Sequence, residues 1–163
     1  MVSIRFLLVP LLLLALTAPL AAQSTRVAFG TISQDTSLPV EVTADNLEVD
    51  QASGTAVFTG SVLISQGEMR LSAQRVLVVY NDTAQGIARL EATGGVTLVS
   101  GPDAAESERA DYSIDDGTIV MTGNVLLAQG KSAISAERMT VQLEDGTAQM
   151  SGRVKTILQT GND

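Results

Sequence analysis

One phrase occurs twice in this chain, and it limits what the chain can fold into. "GTAVFTGSVLISQG" runs from Gly54 to Gly67, and "GTIVMTGNVLLAQG" from Gly117 to Gly130. At an offset of 63 residues, Val57–Val78 aligns with Val120–Val141 without a gap, ending on Ser72-Ala73-Gln74-Arg75 against Ser135-Ala136-Glu137-Arg138. A shorter element, small-Gly-x-Val, stands at Thr59–Val62, Thr93–Val96, Thr122–Val125 and Ser151–Val154, with its glycines 34, 29 and 29 residues apart. A near-constant period of this length marks one supersecondary unit stacked on the next.

Within the unit the apolar residues alternate. Ala56/Phe58, Leu90/Ala92, Ile119/Met121 and Ala148/Met150 precede the element, and Val62/Ile64, Val96/Leu98, Val125/Leu127 and Val154/Leu158 follow it. Arg89, Glu91, Thr97, Gln149 and Lys155 fall between them. Period two with β-branched residues predicts strands with one buried face, and a 3.6-residue period does not fit. Asp116-Gly117 and Asp145-Gly146 read as tight type I′ hairpins, and Gly94-Gly95 and Asn81-Asp82 as similar turns. The expectation is an all-β fold of about sixteen short strands between Pro39 and Leu158, antiparallel because the connections are short. Alternation and repeat register place Phe58, Ile64, Leu71, Val78, Leu90, Leu98, Met121, Leu127, Ile134 and Val141 on the inward face.

Composition narrows the chemistry. Only 3% of the residues are aromatic and none is Trp, so the core is built from Val, Leu, Ile, Ala and Met. The chain has neither Cys nor His, which removes the thiol nucleophile, the imidazole base, disulfides and the soft metal ligands. Glu106, Glu108 and Asp111 in "AAESERADY" are the acid–base candidates that remain, and a carboxylate pair can run glycoside hydrolysis. Solvated charge at a loop and strand start is the favoured reading of them. Asp115-Asp116 and Asn81-Asp82 suit turns and lack the dense Asp/Gly repetition of calcium-binding β-rolls, so neither metal nor cofactor is expected. An acidic chain without a basic stripe argues against nucleic acid as a partner.

Arg5, the apolar run Phe6–Leu16 and the small residues Ala21-Ala22 read as a signal peptide over residues 1–22, cleaved after Ala22. Such a run is shorter than the roughly 20 residues a membrane-spanning helix needs. Loss of Arg5 with the leader leaves nine basic against 18 acidic residues, a net charge near −9. Residues 23–38 are polar and without clear period, and read as a flexible lead-in. Residues 39–158 form the β domain, and 159–163 a short tail.

The order of these pieces carries a resemblance. "VEVTADNLEVDQASGTAVFTGSVLISQG" (Val40–Gly67) leads into "LSAQRVLVVY", and "GTIVMTGNVLLAQG" and "ISAERMTVQL" follow. Residues 39–158 resemble the LptA/OstA-like family of periplasmic lipopolysaccharide transport proteins. The resemblance implies an open, twisted β-jelly roll and no enzyme activity. Its apolar groove would shield the acyl chains of lipid A. Molecules would stack head to tail between inner-membrane and outer-membrane transport components that have related jelly rolls. The ten inward residues then become groove candidates, and Val40, Val42, Val154 and Leu158 become candidates for the docking edges. Two alternatives compete: an exported structural β-repeat protein with a dry core and no lipid cargo, and a relative that keeps Met1–Leu20 as a membrane anchor.

Overall fold

The alternating segments form strands, and most of them are longer than their sequence punctuation suggests. The computed structural model describes residues 24–30, 35–82 and 86–158. The expected leader over residues 1–22 and the tail over 159–163 lie outside the described residues. Among the described residues there are eleven strands: β1 (Thr25–Ala28), β2 (Glu41–Thr43), β3 (Asn46–Asp50), β4 (Thr55–Gln66), β5 (Met69–Tyr80), β6 (Ile87–Ser100), β7 (Asp103–Ser113), β8 (Thr118–Gln129), β9 (Ser132–Gln142), β10 (Thr147–Ser151) and β11 (Lys155–Ile157). All pairings are antiparallel in one open sheet, ordered β1-β10-β9-β8-β7-β6-β5-β4-β2, with β3 also on β4 and β11 also on β9.

The count is eleven and not sixteen because the small-Gly-x-Val elements bend strands instead of ending them. In β4 the register with β5 shifts between Thr59 and Val62, where Gly60 (φ +80°) and Ser61 (φ +46°) bulge out against one partner residue, Gln74. Gly94-Gly95 does the same within β6 and Gly123-Asn124 within β8, so Gly94-Gly95 is not the turn that sequence suggested. A bulge adds a residue to one strand and sharpens its bend. Because every long strand shifts at the same level, the bends line up as a fold line across the sheet. Only at Ser151–Val154 does the irregularity interrupt the strand, separating β10 from β11.

The fold line divides the sheet into two walls that face each other. One row of inward side chains runs Ala56, Val78, Leu90, Tyr112, Ile119, Val141 and Ala148 on the first wall, and another runs Ile64, Leu71, Leu98, Ala105, Leu127 and Ile134 on the second. All of these are buried, in one apolar cluster. A cluster shared by both walls requires the sheet to fold over on itself. A hydrogen bond from Tyr112 Oη on the first wall to Gln66 Oε1 on the second joins strands that are not neighbours in the sheet.

The ends of the walls opposite the fold line form two rims with different turns. On the second wall, Gly67-Glu68, Gly101-Pro102 and Gly130-Lys131 are two-residue connections whose first residue has φ of +54° to +56°. A positive φ at the first central position alone suits a type II′ hairpin. On the first wall the connections after β3, β7 and β9 have four residues with the left-handed glycine last (Gly54, Gly117, Gly146). Asp116 and Asp145 keep negative φ, so the Asp-Gly pairs close four-residue turns and not the type I′ turns expected. The N-terminal segment also departs from expectation: Thr25–Ala28 pairs with β10 from Met150 to Thr147 and Phe29 is buried, within a stretch read as a flexible lead-in.

Candidate functional site

The candidate site is the space between the walls. Of the ten residues placed inward by alternation, Ile64, Leu71, Val78, Leu90, Leu98, Met121, Leu127, Ile134 and Val141 are at most 6% exposed, and Phe58 is half-buried against the same cluster. Their side chains pack against one another, so a guest chain between them requires the walls to part. Met69, Met121, Met139 and Met150 are fully buried there. Methionine is unbranched and soft, and adapts to guests of irregular shape.

The interior is uncovered at one end. Leu47 and Val49 on β3 lie opposite Phe58 and Ala56, so they continue the inward face, yet they are 56% and 58% exposed. Beside them an apolar hollow of about 370 Å³ is lined by Val49, Asp50, Gln51, Gly54, Thr55 and Tyr80. The candidate edge residues divide between the two ends of the sheet. Val42 pairs with Ile64 on the β2 edge and packs inward together with Val40, while Val154 packs inward just before β11 at the other edge. Leu158, after β11, is 67% exposed. On the first wall the corresponding edges are β3 and β1, and sequence reasoning did not find β1.

Three of the four buried polar residues among those described line the rim of the second wall, and the fourth, Ser107, lies at the fold line. Gln66, Ser100 and Asp103 are buried in that row. Gln66 Nε2 donates to the carbonyls of Thr36 (3.0 Å) and Leu38 (2.9 Å), and Asp103 Oδ2 accepts from the Gly30 amide (2.8 Å) and from Gln129 Nε2 (2.9 Å). Burial pushes the Tyr112 phenol up to about 12, so it stays a neutral donor to Gln66. None of these residues was singled out from sequence. A signal was available: Gln66-Gly67 and Gln129-Gly130 are repeat equivalents, each a polar residue at an inward position of the alternation.

The acidic cluster sits elsewhere, on the outer face. Glu108 lies over Gly123, where an added Cβ would meet its Cβ at 2.9 Å, and accepts a hydrogen bond from Asn124 Nδ2 (2.6 Å). Asp111 pairs with Arg109 (2.6 Å), which also reaches Glu91 (2.9 Å), and Arg89 bonds Glu91 from the same strand (2.8 Å). Hydrogen bonds from Arg89 and then Arg109 hold the Glu91 carboxyl below its ordinary range. Glu106 is an exposed residue opposite Thr97 and Leu126. Bulge packing thus occupies Glu108 and an ion pair within β7 occupies Asp111, and half-exposed pairs of this kind are worth about 0–1 kcal/mol.

A sequence profile described as "LptA/(LptD N-terminal domain) LPS transport protein" matches residues 41–147, the greater part of the two-walled sheet. The chain belongs to this LptA/LptD N-terminal domain family. The crystal structure of LptH, the LptA-homologous periplasmic component of the lipopolysaccharide transport device of Pseudomonas aeruginosa, superposes with a TM-score of 0.68 over 77% of this chain and 99% of that one. At 18% identity this likeness is one of fold, an LptA-like open β-jelly roll. An uncharacterized protein of Rhizobium meliloti (strain 1021), R00383, is 30% identical over 116 residues, which cover 67% of this chain and 61% of the relative's length. The fold line is the closed side of this jelly roll, and the two rims lie along the side opposite it.

Proposed function

We propose that this chain is a periplasmic carrier in lipopolysaccharide transport that holds the acyl chains of lipid A between its walls. In this reading it stacks head to tail with copies of itself and with related jelly rolls of inner-membrane and outer-membrane components. The observation that carries the proposal is the apolar interior, which crosses the sheet from β10 to β4 and ends uncovered at Leu47 and Val49. An uncovered inward face at an unpaired sheet edge suits continuation into a second jelly roll, where ladder pairing supplies affinity with little demand on sequence. Head-to-tail contacts of this kind propagate as a filament.

The energetics favour apolar cargo. Burial of one CH₂ gives about 0.8 kcal/mol, so a twelve-carbon chain gains on the order of 9 kcal/mol before ordering costs. The acidic surface repels anionic head groups, but screening beyond about 8 Å at physiological salt limits that repulsion. The head group therefore remains in water while the chains enter. The dense burial of the inward residues favours one competing reading, a structural repeat protein with a permanently dry core.

Photocrosslinking in cells separates the two. A photoreactive side chain at Phe58 or Met121 captures lipopolysaccharide if the walls admit cargo, and one at Arg89 or Lys155 on the outer face or edge does not. Capture from neither inward site, or equal capture from all four, refutes the carrier reading.

A further inference from the structure

The mouth between the two rims is occupied by the chain's own N-terminal segment. Thr25–Ala28 adds to β10 at the edge of the first wall. The Phe29 amide then donates to Gly146 O on the first rim (2.9 Å), and the next amide, of Gly30, donates to Asp103 on the second rim (2.8 Å). The side chain between these two anchors, Phe29, is 2% exposed and belongs to the apolar cluster. Further along, Thr36 lies against Gly117 of the first rim while its carbonyl, with that of Leu38, accepts from Gln66 of the second. The repeat-related Gln129 holds the carbonyl of Ala28 (2.7 Å). The duplicated Gln-Gly phrase thus places one carboxamide at each of two points on the seam, and both grip main-chain carbonyls of the same segment.

We propose that the described parts of this segment, Thr25–Gly30 and Asp35–Leu38, form a displaceable strap, and that Phe29 fills a seat that an acyl chain takes on loading. The proposal rests on the carrier reading above. Three features make the strap the part that yields. β1 has four residues and one ladder neighbour, whereas β4–β9 are each paired on both sides. Its remaining anchors are the Gly146 carbonyl and the side chains of Gln66, Gln129 and Asp103, all at the rims, which water satisfies once the strap leaves, so parting strands no buried polar group. The walls behind it are packed, and the strap is the element that bonds to both rims along the mouth. A protein whose mouth is closed by its own aromatic residue has its apolar interior shielded before cargo arrives, which keeps an exported chain soluble.

The test uses a disulfide in the cysteine-free chain. Ala28 and Thr147 are directly opposite in the β1–β10 register, next to Phe29. Cβ atoms of opposed strand residues lie close to disulfide range. In Ala28→Cys/Thr147→Cys, the oxidised form holds the strap down and the reduced form releases it. With a fluorescent twelve-carbon fatty acid as probe, the oxidised protein is expected to bind at least about tenfold more weakly than the same sample after reduction, since a lock on the competent state scales apparent affinity by its population. Phe29→Ala, which vacates the seat, is expected to bind more tightly than wild type. In wild type, probe binding is expected to speed hydrogen exchange at the Phe29 and Gly30 amides. Equal affinity of oxidised and reduced forms, with those amides still protected when probe is bound, overturns the strap and leaves the carrier reading intact. Absence of probe binding in every form, Phe29→Ala included, overturns the carrier reading and the strap with it.

Discussion

Gly94 and Gly95 offer a direct measurement of what holds the fold line. Both have a left-handed backbone, φ +89° and +84°. An added Cβ at Gly95 meets nothing within 4 Å, whereas at Gly94 it meets the Gln74 Cβ at 2.8 Å and Cγ at 3.3 Å. Alanine at either position incurs left-handed strain of about 1–2 kcal/mol. At Gly94 there is in addition an overpacking cost of about 1–3 kcal/mol, because the atom struck is the Cβ of a residue inside β5, fixed to the strand backbone, and not a flexible side-chain end. The expected losses are therefore about 1–2 kcal/mol for Gly95→Ala and about 2–5 kcal/mol for Gly94→Ala. Gly95→Asn should lose less than Gly95→Ala, since Asn124 at the repeat-equivalent position has φ +48° and Asn tolerates this region. Urea unfolding with linear extrapolation reads these differences, provided the slope stays constant across the set. Equal losses at the two glycines would show that the close crossing beneath Gln74 contributes nothing to the fold line.

Three further outcomes are expected. Tyr112→Phe leaves Gln66 Oε1 buried without its donor and should cost about 1–3 kcal/mol in urea unfolding; no loss in this variant would deny the cross-wall bond any stabilising role. The Tyr112 phenol is raised to about 12 from an ordinary value near 10, so its contribution is fully present below pH 10 and fades as pH rises from 10 through 12, where the unfolded chain ionises first; wild type should lose stability in that window more steeply than Tyr112→Phe, and parallel pH profiles would contradict this. Val42→Pro removes a ladder N–H from the β2 edge and should weaken concentration-dependent association in sedimentation velocity without unfolding the central strands, and added salt should strengthen association of wild-type molecules that carry like charge; a single monomeric species at every concentration and salt level would count against edge stacking.

The family profile and the LptA-like superposition bear out the likeness read from "VEVTADNLEVD" and the paired Gln-Gly hairpins. Alternation fixed the all-β class and the inward position of Ile64, Leu71, Leu98, Met121 and their equivalents, and the short connections fixed the antiparallel pairing. The class and the inward positions depend on period two, a local property that each strand carries in its own residues. The strand count did not follow from that local pattern. A glycine with positive φ serves a turn and a bulge equally well, and whether the chain reverses at Gly60 or only bends depends on Gln74 of the next strand lying opposite it. The strap was equally hidden. Residues 25–30 and 35–38 have no period because they follow a seam made by two rims, and their partners Gln66, Asp103 and Gln129 come from strand ends up to 101 residues away. Sequence specified the surfaces that must be buried, while the folding of one wall over the other decided which polar residues meet across the mouth and that Phe29 closes it.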